Sequence, residues 1–386
     1  MKKFVRIVCL ITLGVCLTTT LAFARAQKTQ YPVVFAHGMM GFDQLLGIDY
    51  FGNDYGVFVG DACDQFLETT CNSRIDRKQQ AFAADVNPFQ SSEYRGLQLA
   101  DDIESYMATV GAAAVSIVGH SQGGMDGRKA ARLLYERKGQ QVVKALISIS
   151  SPHRGSPVAK NVLDRGEDGF NALLNWAANY LYNAIAFVEK GDFFASMKTL
   201  AYNDMDRFDG EITGCKAFNK NYPMDNDVIK YYGSIITAQQ GAMSPVLLAL
   251  SIVAPLNIDG DGWCAEVDEN GDQVDCDDDG AAGLGDGDFK DTDDDGLVGI
   301  NSQQMGYRLA YTKNFWTGSY FTEDPTTGYL SNLNRPSLVQ ATSYSSVIPY
   351  DHVDVCGLGI IPYAIGDDFD EMRFYADLID FIASRE

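Results

Sequence analysis

The sequence of 386 residues has few histidines, few basic residues and no internal apolar run long enough to cross a membrane. It contains 4 histidines, and 30 lysines and arginines against 52 aspartates and glutamates, which gives a formal net charge of −22. Because an acidic chain repels phosphate groups, this balance excludes nucleic acid and anionic membranes as partners. The small number of histidines also leaves few candidates for any proton transfer that needs an imidazole.

An apolar run at the N-terminus follows three basic residues and is too short to cross a membrane. It extends over residues 7–23, whereas a spanning helix needs roughly 20 consecutive apolar residues. Small residues two apart at positions 22–26 form a cleavage pattern. The sequence therefore predicts a signal peptide over residues 1–26, a secreted chain that passes through the periplasm, and no stable transmembrane anchor. A retained anchor is the alternative.

Six cysteines lie outside this leader, and an even number of cysteines in an exported chain predicts disulfide bonds. Proximity in sequence favours pairing Cys63 with Cys71 and Cys264 with Cys276. Elimination then pairs Cys215 with Cys356.

Strand-like apolar runs alternate with helical patterns along the rest of the chain. Strands are predicted at 31–36, 112–118, 142–149 and 230–238, and helices at 96–110, at 122–137 and from residue 367 onward. Such alternation is typical of α/β proteins, in which right-handed crossovers make neighbouring strands parallel. We therefore predict a single α/β domain over residues 27–386, with a mostly parallel sheet flanked by helices. Residues 313–346 are rich in small and polar residues and predict a surface excursion.

Two segments interrupt the alternation. Residues 156–205 contain apolar side chains at helical spacing and no charge between Phe170 and Val188, which predicts a helical lid insertion. An ordinary surface helix with its apolar side in the core is the alternative. Residues 257–295 predict an acidic loop insertion, with 16 acidic residues and one lysine between Asp259 and Asp295. Bunched carboxylates favour a hard cation such as calcium, and a solvated acidic loop is the alternative.

The stretch VSIVGHSQGG at 115–124 joins a strand-like run to a helical pattern through a glycine-rich turn. The serine of G-x-S-x-G stands on a sharp strand-to-helix turn that exposes its hydroxyl group. The N–H of Gln122 and the positive end of the following helix point to where an oxyanion would form. Ser121 is therefore the predicted nucleophile, and a simple glycine-rich turn is the alternative.

A serine nucleophile needs a histidine base, and there are only four candidates. His37 follows the first strand, His120 should point away from the neighbouring Ser121, and His153 should order its own loop. His352 lies far downstream in a polar loop. In α/β-hydrolases the order along the chain is serine, acid, histidine, so His352 is the predicted base.

The base in turn needs an orienting carboxylate between Ser121 and His352. Asp293, Asp294 and Asp295 precede an apolar stretch that could hold an acid rigidly, and their spacing does not separate the three.

Seven stretches, spread in order along the chain, resemble the secreted bacterial triacylglycerol lipases of the Pseudomonas and Burkholderia type. They are YPVVFAHGMMGFD (31–43), SSEYRGLQL (91–99), VSIVGHSQGG (115–124), SPHRGSPVA (151–159), TGCKAFNKNYP (213–223), DGLVG (295–299) and DHVD (351–354). The resemblance implies an α/β-hydrolase fold with nucleophile Ser121, acid Asp295 and base His352. It also implies an oxyanion hole formed by the backbone N–H groups of Met39 and Gln122.

The same resemblance implies a structural calcium ion near the histidine, with Asp354 as a ligand, and a lipase-specific foldase as a partner. The chain departs from the family at Leu358, where a polar ligand is expected, and at Asn301, where a cysteine is expected. Separately, the aspartates at 291, 293 and 295 have the spacing of the start of a calcium loop, although position twelve is not Glu. The family match assigns Asp295 to catalysis instead.

These features predict a secreted serine ester hydrolase that cleaves acylglycerols at an oil–water interface through an acyl-enzyme. A polyester depolymerase or a short-chain carboxylesterase is the alternative, because fold and triad do not select a substrate. An alternative of another class is a calcium-dependent surface-binding protein on a vestigial hydrolase scaffold. The presence of serine, aspartate and histidine in the expected order disfavours it.

Overall fold

The computed structural model describes residues 26–39, 44–45, 48–49, 72, 74–76, 78–169, 171–172, 190–201, 204–205, 212–239, 247, 294–314, 318–334, 346–356 and 369–386. Its helices are α1 Ser92–Val110, α2 Gln122–Lys138, α3 Pro157–Arg165, α4 Lys190–Leu200, α5 Cys215–Asn221, α6 Ile300–Gln303 and α7 Glu371–Ala383, with a 3-10 turn at Asp354–Cys356. Its strands are β1 Val33–Ala36, β2 Gln44–Leu45, β3 Ile48–Asp49, β4 Ala81–Ala83, β5 Val115–His120, β6 Val143–Ile149, β7 Asp204–Met205, β8 Ile212–Thr213, β9 Ile229–Thr237, β10 Gly306–Asn314, β11 Gly318–Glu323, β12 Tyr329–Leu330 and β13 Val347–Ile348.

The main sheet has the strand order β11-β10-β9-β6-β5-β1-β4, with β12 beside β10 and β13 beside β9. The pairs from β4 to β10 are parallel, as is β13 with β9, whereas β11 and β12 run antiparallel to β10. The mostly parallel sheet predicted from the sequence is therefore confirmed. Because parallel strands end at one edge of the sheet, the loops that follow β1, β5, β6 and β9 come together there.

Alternating residues of the strands bury two opposite faces of the sheet. Val34 of β1 packs in a cluster with Leu99 of α1 and Leu134 of α2. Its neighbour Phe35 packs in a second cluster with Phe193 of α4 and Ile379 of α7. Helices thus cover both faces, and the helix predicted from residue 367 onward is α7, which packs against the sheet.

The helix before the nucleophile has a signal at each end. The Ser91 hydroxyl caps α1 by accepting the N–H of Tyr94 at 3.3 Å. Gly111 ends the helix in the left-handed region at φ 69°, which costs glycine little. The helix is fixed from its first turn, and that turn lies beside the candidate site.

Part of the surface excursion predicted at 313–346 is instead an edge of the sheet, and residues 315–317 and 335–345 lie outside the described residues. Residues 318–323 pair antiparallel with 309–314, and Tyr329 pairs with Tyr307. The prediction was wrong because an edge strand keeps one face toward solvent, so its composition resembles that of a loop.

The two predicted insertions are described only in part. In the lid-like segment 156–205, Phe193 and Met197 of α4 are buried in the core, while residues 173–189 lie outside the described residues. The acidic segment is described only at residues 294–295, and the predicted leader only at residue 26. Both insertions and the leader stay predictions. No helix in the described part of the chain is long and apolar enough to cross a membrane.

Candidate active site

Ser121 connects the end of β5 to the first residue of α2 in an unusual backbone conformation. Its φ is 53° and its ψ is −127°, a combination that non-glycine residues rarely adopt. Its N–H donates to the carbonyl oxygen of Ile149 at 2.9 Å, which fastens the turn to the end of β6. Strain of this kind costs on the order of 1–3 kcal/mol and persists only where the surroundings enforce it. The strand, turn and helix match the context that the G-x-S-x-G pattern requires.

Two glycines make this turn possible because no Cβ atom fits at their positions. A Cβ at Gly119 would lie 2.5 Å from the backbone nitrogen of Gly124. A Cβ at Gly123 would lie 2.2 Å from the carbonyl oxygen of Ala36 and 2.8 Å from that of His37. The first turn of α2 therefore abuts the loop after β1, which brings the backbone around Gln122 close to the segment that leads to Met39.

His352 and Asp295 form a buried pair. The imidazole Nδ1 lies 2.8 Å from Asp295 Oδ2, and the His352 backbone N–H donates to the Asp295 carbonyl oxygen at 2.9 Å. Their side chains are 5% and 0% exposed, so the contact is shielded from water. With a carboxylate oxygen as its neighbour, Nδ1 carries the proton and Nε2 has a lone pair with which to accept another. This is the arrangement that a histidine base requires.

Both oxygens of Asp295 accept further hydrogen bonds. Oδ1 accepts the backbone N–H groups of Leu297 and Val298 at 3.1 and 2.8 Å, and Oδ2 accepts the hydroxyl of Thr237 at 2.9 Å. Oδ2 also lies 3.3 Å from the side-chain nitrogen of Gln303. Sequence reasoning missed Thr237 and Gln303, because no motif marks either residue.

The adjacent Asp294 does not meet the histidine. Its Oδ1 accepts the N–H of Gly296 at 2.5 Å, within its own turn. Asp293 lies outside the described residues. Of the three aspartates that spacing did not separate, Asp295 is the one whose side chain contacts His352.

The remaining histidines are buried, and burial lowers the pKa of each. Burial and the nearby charge of Arg95 lower the pKa of His37 to about 3. Burial is also the largest cause that lowers the pKa of His120 and of His153, and the charges of Arg128 and Arg154 add to it at His153. These three rings are therefore neutral near pH 7. His153 Nε2 lies 3.0 Å from the hydroxyl of Ser148 on β6, a contact that ties the loop of His153 to the preceding strand.

His120 contacts the base, which the sequence did not suggest. Its Nε2 donates to the carbonyl oxygen of His352 at 2.9 Å, and the centroids of the two rings are 4.8 Å apart. Because His120 immediately precedes Ser121, this contact brings the elbow and the loop of His352 together.

The loop after β1 is fixed by a buried ion pair. Arg95 donates from Nη2 to the His37 carbonyl oxygen at 2.6 Å and from Nε to Asp126 Oδ2 at 2.7 Å. Both charged side chains are fully buried. Arg95 thus links α1 to α2 and to the backbone that leads to Met39, which is itself partly buried against the core. Sequence reasoning assigned no role to this ion pair, although Arg95 lies in one of the stretches that carry the resemblance.

The Gln122 side chain anchors the first residue of α2, whose backbone N–H is the predicted oxyanion donor. Its amide nitrogen donates to the Gln90 carbonyl oxygen at 2.8 Å and lies 3.2 Å from the Ser92 hydroxyl. Its amide oxygen accepts the Ser196 hydroxyl of α4 at 3.2 Å. The C-terminal part of the predicted lid is therefore joined to the elbow.

The predicted calcium site near Asp354 lies partly outside the described residues and stays a prediction. No group of three or more histidine, cysteine, aspartate or glutamate side chains in the described part of the chain could hold a metal ion. Asp354 Oδ2 accepts the N–H of Asp351 at 3.1 Å, and Leu358 lies outside the described residues. Both oxygens of Asp295 are occupied by hydrogen-bond donors, which argues against its alternative role as a calcium ligand.

The predicted disulfide between Cys215 and Cys356 is wrong. Cys215 is a free, fully buried thiol, whose Sγ lies 3.0 Å from the carbonyl oxygen of Thr199 and 3.3 Å from that of Pro152. Elimination failed because it assumed that every cysteine is paired. The other four cysteines of the two short-range pairs lie outside the described residues, so those pairs stay predictions.

Comparison with known proteins agrees with this architecture. A family model of the α/β hydrolase fold matches residues 68–233. The chain is 36% identical over 132 residues to a triacylglycerol lipase of Vibrio cholerae, which is 34% of this chain and 36% of that protein. It is 31% identical over 140 residues to a triacylglycerol lipase of Burkholderia plantarii, which is 35% of this chain and 33% of that protein. The matched region thus spans about a third of the length of these curated relatives.

The structure of lipase 1 from Pelosinus fermentans is similar over a larger part of the chain. It aligns with a TM-score of 0.50 and 17% sequence identity, and the alignment covers 92% of this chain and 99% of that one. At this identity the similarity concerns the fold.

Proposed function

Because the chain has the α/β-hydrolase fold that its sequence predicted, we propose that it is a serine ester hydrolase that cleaves acylglycerols. Ser121 is the nucleophile, His352 the base, and Asp295 the carboxylate that orients the base. The backbone N–H groups of Met39 and Gln122 bind the oxyanion.

The observation that carries this proposal is the buried 2.8 Å contact between His352 Nδ1 and Asp295 Oδ2. It is supported by the strained backbone of Ser121 at the start of α2 and by the contact of His120 with the base. A histidine paired with a carboxylate beside a nucleophile elbow is the combination that activates a serine hydroxyl.

The chemistry follows from these positions. Ser121 Oγ attacks the ester carbonyl carbon while its proton passes to His352 Nε2, and the carboxylate of Asp295 stabilises the resulting imidazolium ion. The negative charge that develops on the carbonyl oxygen is stabilised by the N–H groups of Met39 and Gln122 and by the positive end of α2. His352 then gives the proton to the leaving alcohol. A water molecule, deprotonated by His352, hydrolyses the acyl-enzyme and frees the carboxylic acid and Ser121.

The curated relatives are named triacylglycerol lipases, and these names support an acylglycerol as the substrate class. A short-chain carboxylesterase or a polyester depolymerase would use the same residues. Secretion is also part of the proposal, supported by the N-terminal pattern at residues 1–26. Sequencing the N-terminus of the exported protein tests it. The foldase partner stays a prediction.

The test is the initial rate of the purified mature protein on a long-chain triglyceride whose concentration rises through its solubility limit. Ser121→Ala is the inactive variant, and Ser105→Ala on the exposed side of α1 is the matched control. A rate that rises sharply when droplets form, and is absent only in Ser121→Ala, supports the lipase. A serine-dependent rate confined to soluble short-chain esters keeps the mechanism and rejects the acylglycerol substrate. Substantial activity in Ser121→Ala rejects the serine mechanism.

A further inference from the structure

We propose that Thr237, at the end of β9, is a positioning residue that aims the carboxylate of Asp295 at His352, and that Ser150 orients the Thr237 hydroxyl for this task. The inference rests on the proposed function, because it gives Thr237 a role only if His352 acts as a base.

The Thr237 hydroxyl and the His352 imidazole contact the same carboxylate oxygen. Thr237 Oγ1 lies 2.9 Å from Asp295 Oδ2, and His352 Nδ1 lies 2.8 Å from it. The other oxygen accepts the backbone N–H groups of Leu297 and Val298. Four close donors therefore surround a fully buried carboxylate, and Gln303 Nε2 is a more distant fifth at 3.3 Å. The hydroxyl and the imidazole are the two nearest donors to the oxygen on which the base depends.

The count of protons fixes the direction of each hydrogen bond. Thr237 has a single hydroxyl proton and two acceptors within reach, Asp295 Oδ2 at 2.9 Å and the Gln303 amide oxygen at 3.3 Å. The proton goes to Asp295, because the carboxylate oxygen is nearer and a charged acceptor makes the stronger hydrogen bond. The Ser150 hydroxyl lies 2.6 Å from Thr237 Oγ1 and must therefore donate to it. The result is a chain of hydrogen bonds that runs from Ser150 through Thr237 to Asp295, in which each donor strengthens the next.

The start of this chain is held by the backbone. Ser150 follows β6 with φ 53°, a left-handed conformation that a non-glycine residue adopts only where its surroundings enforce it. Its N–H donates to the carbonyl oxygen of Ile235 at 3.1 Å, which fastens it to β9. The position of the hydroxyl is therefore set by the ends of two neighbouring strands.

Gln303 supports Thr237 rather than Asp295. Its amide oxygen accepts the Thr237 N–H at 2.8 Å. Its amide nitrogen lies 2.9 Å from the carbonyl oxygens of Thr237 and Val298, and 3.3 Å from Asp295 Oδ2. Two N–H protons serve the two shorter contacts, which leaves the third weak. Gln303 thus clamps the backbone of Thr237, and the Thr237 hydroxyl remains the donor that holds Oδ2.

The consequence for the reaction is confined to the chemical step. The hydroxyl, which is buried together with Asp295, contacts the acid and not the substrate, so its loss leaves substrate binding unchanged. Because it holds the acid that orients the base, its loss lowers the rate of proton transfer from Ser121. Losing a hydrogen bond to a buried charged group should lower kcat roughly ten- to hundredfold.

The test compares Thr237→Val, which keeps the shape and removes the hydroxyl, with Thr237→Ser, which keeps the hydroxyl. We expect kcat to fall roughly ten- to hundredfold in Thr237→Val with little change in KM, and to recover most of the wild-type value in Thr237→Ser. The rate at which saturating organophosphonate labels Ser121 should fall in parallel with kcat. A purely structural role would lower the melting temperature and leave this labelling rate unchanged. Equal kcat in Thr237→Val and wild type overturns the inference, and so does an equal loss in both variants.

Ser150→Gly keeps the inference testable if Thr237→Val does not fold. Glycine tolerates the positive φ and removes the hydroxyl together with its methylene group. A lower kcat at an unchanged melting temperature supports the hydrogen-bonded chain, and an unchanged kcat overturns the role of Ser150. Failure of the proposed function is recognised separately, because in that case Ser121→Ala retains the wild-type activity.

Discussion

His120 donates from Nε2 to the carbonyl oxygen of His352 at 2.9 Å, although the two residues are 232 positions apart in the sequence. The residue before the candidate nucleophile therefore holds the loop of the candidate base. Burial lowers the pKa of His120 well below its usual range, so its ring is neutral and has one proton, which this contact requires on Nε2.

We expect His120→Leu to lower kcat more than His120→Gln. Leucine removes the donor and leaves the buried carbonyl oxygen of His352 without this partner, at a cost of about 1 kcal/mol or more. Glutamine places a side-chain nitrogen near the position of Nε2 and keeps the bond. Steady-state kinetics and melting temperatures of both variants test this expectation. If glutamine and leucine lower kcat equally at equal stability, the hydrogen bond has no part in placing the base.

Asp295→Asn should abolish most of the activity, whereas Asp294→Asn should not. In Asp295→Asn the geometry survives but the charge that stabilises the imidazolium ion is lost, and the amide favours the wrong tautomer of His352; such a change costs roughly 10⁴-fold in kcat. Asp294 accepts a hydrogen bond within its own turn, and asparagine still provides the acceptor. Ester hydrolysis by the two purified variants is the measurement. Comparable losses in both would contradict the assignment of the acid.

Gly123→Ala should destabilise the fold more than Gly127→Ala. The added methyl group at Gly123 would meet the backbone oxygen of Ala36 at 2.2 Å, and backbone cannot move aside cheaply. At Gly127 the nearest atom, at 2.8 Å, is the end of the flexible Leu146 side chain. Overpacking costs about 1–3 kcal/mol, and at Gly123 it would also separate α2 from the loop of Met39. Chemical denaturation together with ester hydrolysis measures both effects, and equal stability of the two variants would refute the argument.

The fold could be predicted from the sequence where local pattern and burial agree. The strand and helix on either side of Ser121 are continuous patterns, and the observed bounds, Val115–His120 and Gln122–Lys138, lie close to those predicted. The antiparallel strand at 318–323 could not be predicted in this way, because it lies at the edge of the sheet and its sequence lacks a buried apolar run.

The candidate site, too, could be predicted only in part. Motif and family resemblance name Ser121, Asp295 and His352, and their catalytic roles stay predictions that the observed contacts support. The supporting residues could not be predicted, because their positions depend on strand register and not on spacing. Thr237 is 58 residues from Asp295 in the sequence, and its hydroxyl reaches the acid only because β9 ends beside that loop.

Cys215 should react as a free thiol only after unfolding. Burial raises the pKa of this thiol to about 12, so both access and ionisation oppose its reaction with a maleimide at pH 8. In denaturant without reductant the thiol should be labelled, and peptide mapping by mass spectrometry identifies the position. A peptide that links Cys215 to Cys356 would restore the disulfide that the structure contradicts.

The buried pair Arg95–Asp126 should be much more sensitive to loss of one partner than to loss of both. Arg95→Leu leaves the Asp126 carboxylate buried without its cation, and Asp126→Leu does the reverse, each at about 3–5 kcal/mol of unfolding free energy. The double variant removes both charges and should be closer to the wild type in stability. Its kcat should nevertheless stay low, because the carbonyl oxygen of His37 has lost the Arg95 donor that holds the loop of Met39. Denaturant unfolding and steady-state kinetics of all three variants test this. A double variant with full kcat would show that the loop of Met39 holds its position without Arg95.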